Sequence, residues 1–234
     1  MNIIISGASS GIGYEVALKF AANPENRIIL LSRNMEKLRD LKEQANHRFN
    51  NVNLFSIYFD LENPDYAVLN SLMTEFQNID CLFNNAGLMI NKPFCEITEE
   101  EWLRIFKVNV IGQAALIREV LPFMGKESHT HIVNMSSMGG FQGSVKFAGL
   151  TAYSASKAAL ASLTEVLATE LSERNISVNC LAIGAVNTPM LNVAFPDYVA
   201  PLTSSQIADF IAYFCQHGHH FFNGKILPVA LSTP

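Results

Sequence analysis

The stretch Asn2-Ile3-Ile4-Ile5-Ser6-Gly7-Ala8-Ser9-Ser10-Gly11-Ile12-Gly13 decides the fold. An isoleucine-rich run of strand character meets three glycines and then opens a helical pattern. The glycines permit a tight turn, close approach of backbone to a phosphate, and close packing of helix on strand. Free N–H groups and the helix dipole at Gly11–Gly13 favour an anion, with Ser9, Ser10 and Ile12 in the same turn. The spacing Gly-x-x-x-Gly-x-Gly differs from Gly-x-Gly-x-x-Gly and from a Walker A loop, which needs Gly-Lys-Ser/Thr. A glycine cluster alone is explained by a flexible turn. Its place at the strand–helix junction of a first βαβ unit points to phosphate.

Outward from this stretch, short apolar runs alternate with helical patterns. The further strand-like runs are Arg27–Ser32, Val52–Phe59, Ile79–Asn84, His131–Met135, Ile176–Ala182 and Lys225–Val229. They are continuously apolar, as for strands covered on both faces. Between them, Met35–Arg48 carries an apolar stripe. Pro64–Phe76 is expected to start with Pro near the first helical position after Asn63. Thr98-Glu99-Glu100-Glu101 reads as a capping box before a helix to about Phe123. Thr151–Arg174 and Thr203–His217 complete the helices. The order predicts a single-domain α/β Rossmann fold over residues 1–234. Its sheet is parallel, doubly wound and seven-stranded, with helices on both faces. The irregular stretches Gly87–Ile97, Met138–Leu150 and Ala185–Leu202 fall at or near carboxyl ends of strands, the edge where such sheets bind ligands.

The 234 residues are 49% hydrophobic and 16% charged, the reverse of a disordered chain. Net charge is -5 with no basic run, which argues against a nucleic-acid partner. No apolar stretch reaches the roughly 18 residues of a membrane span. Met1–Gly7 lacks a signal peptide's basic start. Cys81, Cys95, Cys180 and Cys215 are widely separated. The expectation is a reduced, cytoplasmic chain.

The second run ends Leu30-Leu31-Ser32-Arg33-Asn34. An acidic residue there would hold an adenosine ribose 2′-hydroxyl. Ser32 with Arg33 instead suits a 2′-phosphate, which favours NADP(H) over NAD(H). A solvated arginine at a strand end is the plainer alternative.

Of the six tyrosines, Tyr153 alone has a lysine four residues on, Lys157. On a helix these positions share a face. An ammonium beside a phenol lowers its pKa, which makes Tyr153 a candidate general acid/base. Ser137 follows the fifth run, and Asn84-Asn85-Ala86-Gly87 ends the fourth. Asn109 lies inside a long helical pattern, where asparagine is a poor helix former.

These motifs, with Val108-Asn109-Val110, Tyr153-Ser154-Ala155-Ser156-Lys157 and Asn179–Thr188, closely resemble the classical short-chain dehydrogenase/reductase family along nearly the whole chain. The resemblance implies an NADP-dependent enzyme that interconverts a carbonyl and an alcohol by hydride transfer. Tyr153 would be the proton donor, and Lys157 would bind the nicotinamide ribose and depress the Tyr153 pKa. Ser137 would place the carbonyl oxygen, and Asn109 would hold a relay water. Asp60, with Leu61 beside it, would contact adenine. Asn85, Ala86 and Gly87 would line the adenosine ribose; Gly184, Val186 and Thr188 would frame the nicotinamide carboxamide. The competing readings are a nucleotide sensor without turnover and an epimerase or dehydratase that retains its cofactor.

The chain departs from the family pattern at Ser6 for threonine and at Ile183 for proline, the latter expected to loosen the adjoining loop. It also lacks Asp-Gly-Gly near its end, where Asn223-Gly224-Lys225 stands. A homodimer through the helices Glu99–Phe123 and Thr151–Arg174, rich in alanine, is expected over a tetramer. Met89, Phe94, Met138, Phe141, Phe147, Met190, Leu191 and Phe195, with Gln142 and Lys146, are pocket candidates for a mainly apolar carbonyl or alcohol substrate. His217-Gly218-His219-His220, His129 and His131 are read as structural, with no metal site.

Overall fold

The computed structural model describes residues 1–126 and 128–231. Among them, seven parallel strands form one sheet. They are β1 (Asn2–Ser6), β2 (Arg27–Ser32), β3 (Leu54–Tyr58), β4 (Cys81–Asn84), β5 (Thr130–Ser137), β6 (Ile176–Ile183) and β7 (Ile226–Val229). Their spatial order is β3-β2-β1-β4-β5-β6-β7, which reverses direction between β1 and β4. At that switch point two adjacent crossovers leave on opposite faces, and their carboxyl ends frame a crevice.

The continuous apolar runs have a direct structural cause. Ile3 and Ile5 of β1 face one core with Val16, Phe20 and Leu30. Ile4 faces the other with Leu31, Leu69 and Met73. Successive side chains of a strand point to opposite faces, so a strand covered twice must be apolar throughout. The first face is covered by α1 (Gly11–Ala21), α2 (Met35–Phe49) and, farther along the chain, the helix Ser204–His217. The second is covered by α3 (Ala67–Phe76), α5 (Gly112–Val120) and α6 (Thr151–Glu170), with α4 (Glu99–Phe106) packed beside α6. A short α7 (Pro189–Ala194) precedes the Ser204–His217 helix, here α8.

Several boundaries differ from the sequence expectation. β3 begins at Leu54 because Asn50 caps α2 in the left-handed region (φ 53°) and Asn51 locks the next turn. The Asn51 amide donates to the carbonyls of Ala21 and Asn23, and its oxygen accepts from the Asn53 N–H. Val52 is left exposed. α3 starts at Ala67, three residues after Pro64, with the Asp65 carboxylate accepting from the Ala67 N–H at 2.9 Å.

The capping box forms: Thr98 Oγ1 accepts from the Glu101 N–H, and Glu101 Oε2 accepts from the Thr98 N–H. The helix it opens is not continuous. Lys107–Ile111 is a π-helical turn between α4 and α5, and a 3-10 turn at Leu121–Phe123 ends the segment. Ile183, expected to loosen its loop, is instead the last rung of β6. It lies between Ser137 and Val229 and is buried.

Candidate active site

A cleft of about 530 Å³ opens along the carboxyl ends of the strands. Its walls include Gly7, Ser9, Ser10, Gly11, Ile12, Ser32, Arg33, Asp60 and Leu61. They also include Asn85, Ala86, Gly87, Ser137, Tyr153, Lys157, Gly184, Val186 and Thr188. Two candidates, Gly13 and Asn109, lie behind the wall.

The glycine turn is shaped by contacts that only a missing side chain allows. Gly7 has φ 69°, and a Cβ there would lie 2.8 Å from the Ala86 Cα. A Cβ on Gly13 would collide with the Gly7 carbonyl oxygen and come 2.5 Å from Asn85 Nδ2. Gly13 therefore sets helix packing, while Gly7 sets the turn. Ser10 stands at the N-cap of α1 in extended conformation and, among the described residues, makes no side-chain cap bond. The first turn carries no acidic residue. The N-terminus of α1 thus presents uncapped N–H groups and its positive dipole end to the cleft, an arrangement that favours an anion.

The Ser6 hydroxyl performs the linking task itself. Its oxygen accepts from the N–H groups of Asn85 and Ala86, each at 3.1 Å. The Asn85 amide returns to the carbonyls of Ser6 and Gly7 at 3.1 and 3.2 Å. These four bonds lock the glycine turn to the end of β4.

At the other end, Tyr153 and Lys157 come one helical turn apart on α6, both buried. Lys157 Nζ lies 5.8 Å from the centre of the Tyr153 ring and donates to the Met135 carbonyl at 2.8 Å. Ser136 Oγ donates to the Lys157 carbonyl at 2.8 Å, so β5 and α6 clasp each other on both sides. Burial pushes the lysine down to about 8.

The expectation that Lys157 depresses the Tyr153 pKa is corrected here. Burial pushes the phenol up to about 12, and contact with the Ser137 hydroxyl acts in the opposite sense. The ammonium is aimed at the Met135 carbonyl, so desolvation wins. Ser137 Oγ also accepts from the Gly139 N–H at 3.1 Å, which fixes its rotamer at the strand end.

Asn109 sits fully buried in the π turn. Its oxygen accepts from the Leu88 N–H at 2.7 Å, and its amide donates to the Leu88 carbonyl and Ser156 Oγ, each at 2.9 Å. Its position against Lys157 is defined by Gly87. A Cβ on Gly87 would lie 3.4 Å from both Asn109 Oδ1 and Lys157 Nζ.

Arg33, at 58% side-chain exposure, lines the cleft beyond the end of β2. Sequence reasoning missed two neighbours there, Glu62 and Arg104. Their only sequence signal was proximity to Asp60 and to the capping box. Asp60 Oδ1 accepts from the Glu62 N–H at 3.0 Å. Thr188 caps α7 by accepting from the Leu191 N–H at 3.1 Å, and its methyl lies against Gly11. The loop after β6 therefore touches the glycine turn.

The apolar candidates divide. Met89, Met138, Phe147, Met190, Leu191 and Phe195 line the cleft, joined by Leu150 and Tyr198. Phe141, Gln142 and Lys146 line an adjoining depression, which Phe147 also borders. Phe94 is exposed and lines neither.

The histidines lie at the opposite edge of the sheet. His129 and His131, two apart on β5 and its lead-in, both pack on His219, with ring centres 5.2 and 5.6 Å away. Asn179 Nδ2 lies 3.0 Å from His131 Nε2, and His131 Nδ1 lies 3.1 Å from the Cys215 carbonyl. The acceptor role at Nε2 and the donor role at Nδ1 describe one neutral tautomer. Among the described residues, no three of His, Cys, Asp or Glu are grouped to hold a metal. No helix among them is long and apolar enough to cross a membrane.

A parallel switched sheet, a glycine turn and a buried tyrosine–lysine pair define a dinucleotide-dependent oxidoreductase class, and comparison with known proteins agrees. The family model for short chain dehydrogenase matches residues 1–198. The chain belongs to the short-chain dehydrogenase/reductase family and is an oxidoreductase of that family. A curated relative is the 3-oxoacyl-(acyl-carrier-protein) reductase of Thermotoga maritima. It is 33% identical over 187 residues, 80% of this chain and 74% of that one. An Escherichia coli short chain dehydrogenase solved with NADPH superposes with TM-score 0.86 at 29% identity, covering 97% of this chain and 95% of that one. L-Sorbose reductase of Gluconobacter frateurii, solved with NADPH and L-sorbose, superposes with TM-score 0.87 at 26% identity. It covers 99% of this chain and 95% of that one.

Proposed function

We propose that this chain is an NADP(H)-dependent reductase/dehydrogenase that interconverts a mainly apolar ketone or aldehyde and its alcohol. The observation that carries the reading is the buried Tyr153–Lys157 pair, with Ser137 beside it, at one end of a cleft whose other end presents Arg33. Two structural neighbours crystallised with NADPH support the cofactor.

The chain fits the dinucleotide along its length. The N-terminus of α1 with Ser9, Ser10, Gly11 and Ile12 takes the diphosphate. Ser32 and Arg33 take the 2′-phosphate, Asp60 and Leu61 the adenine side, and Asn85, Ala86 and Gly87 the adenosine ribose. Gly184, Val186 and Thr188 frame the carboxamide. Bound NADP(H) supplies or accepts the hydride.

The rest is done by the protein. Ser137 Oγ donates to the substrate oxygen and holds it against Tyr153. Tyr153 Oη gives its proton to that oxygen in reduction and recovers it in oxidation. A phenol held protonated by burial is matched to the acid role. Lys157 binds the nicotinamide ribose hydroxyls with the N–H groups that Met135 leaves free. Asn109, in the π turn beside Gly87, orders the water through which Lys157 is reprotonated. Met138, Phe147, Leu150, Met190, Leu191 and Phe195 exclude water from the reacting carbon.

The faces of α4–α5 and α6, where Leu103, Ile111, Val166 and Ala158 are exposed, fit a homodimer. Light scattering during size exclusion tests that state; a monomeric mass rejects it.

A panel of ketones and aldehydes, followed by loss of NADPH absorbance, tests the function. Turnover by wild type and its loss by about 10²-fold or more in Tyr153→Phe, with NADPH affinity kept, is expected. Tight NADPH binding with an inactive panel would favour the sensor reading.

A further inference from the structure

The adenosine end of the cleft holds a charge that opposes Arg33. Glu62 lies two residues beyond Asp60, and its side chain is 18% exposed. Arg104, reaching from α4, grips it as a fork: Nε is 3.0 Å from Oε1, and Nη2 is 3.1 Å from Oε2. Arg33 Nη1 stands 3.9 Å from the same Oε2. All three side chains line the cleft wall with Ser9, Ser10 and Ser32.

A dianionic 2′-phosphate seated on Arg33 would fall well within one Debye length of this carboxylate, roughly 8 Å at physiological salt. A ribose 2′-hydroxyl carries no net charge and would meet no such repulsion. Arg33 is more than half exposed, and a single exposed cation discriminates weakly. The balance of the three groups decides.

We propose that Glu62 sets the nucleotide preference of this site. Held by Arg104, its carboxylate offsets the field of Arg33 and lowers the discrimination for a 2′-phosphate, so that NAD(H) is accepted alongside NADP(H). The inference rests on the NADP(H) reading above.

Fluorescence titration of wild type, Glu62→Gln, Arg104→Gln and the double variant with NADPH and with NADH tests it. Glu62→Gln is expected to tighten NADPH about three- to tenfold, with NADH changed by less than about twofold. Arg104→Gln, which leaves the carboxylate unneutralised, weakens NADPH by a similar factor. The double variant returns to wild-type NADPH affinity or better. Both single shifts shrink at about 0.5 M salt. Weaker NADPH binding by Glu62→Gln, or equal shifts for both nucleotides, would mean that Glu62 orients the site and would overturn the proposal. Wild type that binds NADPH and shows no NADH binding also overturns it. Wild type that binds neither nucleotide removes the NADP(H) reading and this inference together.

Discussion

The Lys157 ammonium donates to the main-chain carbonyl of Met135, two residues before Ser137 on the same strand. The lysine is thereby held by the strand that also presents Ser137. With the lysine pushed down to about 8, its charge is lost as pH rises through that value. NADPH affinity should therefore fall between about pH 7 and 9 in wild type. Lys157→Met should bind NADPH more weakly at pH 7, lose that pH step, and lose turnover by about 10²-fold or more. Titration of NADPH across the pH range, with parallel kcat/KM measurements, checks both; a retained step in Lys157→Met assigns it to another group.

Removing the Ser6 hydroxyl leaves two half-buried backbone donors, at Asn85 and Ala86, without their acceptor. Ser6→Ala should cost about 1–3 kcal/mol, a fall of roughly 2–10 °C in Tm. Ser6→Thr keeps the oxygen and should stay near wild type. Thermal unfolding of both variants decides, and an unchanged Tm in Ser6→Ala rejects the linking role.

Gly13→Ala inserts a methyl where the Gly7 carbonyl stands. The turn or the helix must shift, so NADPH should bind at least about tenfold more weakly, with a loss of about 1–3 kcal/mol in stability. Denaturant unfolding and nucleotide titration are the readouts; wild-type values in both would show that the contact can relax.

His131 is pushed down to about 3 and His219 to about 4, burial being the larger cause in each. Histidines whose folded-state pKa is depressed leave the unfolded chain with more protons below about 6.5. Stability from these groups is complete above that value and falls as pH drops toward 4. Tm should be nearly level from pH 8 to 7 and decline from pH 6.5 to 5, before most carboxylates titrate. His219→Gln should flatten the decline. An equally steep slope in that variant would place the proton uptake elsewhere.

The sequence carried the sheet almost complete, because strands covered on both faces write their burial directly into runs such as Ile3–Ile5. It carried Tyr153 and Lys157 for a similar reason: helical spacing alone sets them on one face. What escaped it depended on side chains that act on distant backbone. Asn51 ends the turn before β3 by reaching the carbonyls of Ala21 and Asn23. The direction of the Tyr153 pKa depended on where the Lys157 ammonium points, and spacing does not specify that. Glu62 and Arg104, 42 residues apart in sequence, become one feature only when α4 is laid beside the β3 end.

The π turn at Lys107–Ile111 resets angular phase. One residue accommodated in a helix rotates everything beyond it by about 100° relative to an unbroken α-helix. The faces of α4 and α5 are thus out of step, which is why no single apolar stripe runs from Glu99 to Val120. Asn109 sits at the slip and uses its amide as a strand would, bonding both polar groups of Leu88. Deleting one residue in this turn would straighten the helix and unhook the loop that starts at Gly87. The spatial address of that loop is encoded in how the helix winds.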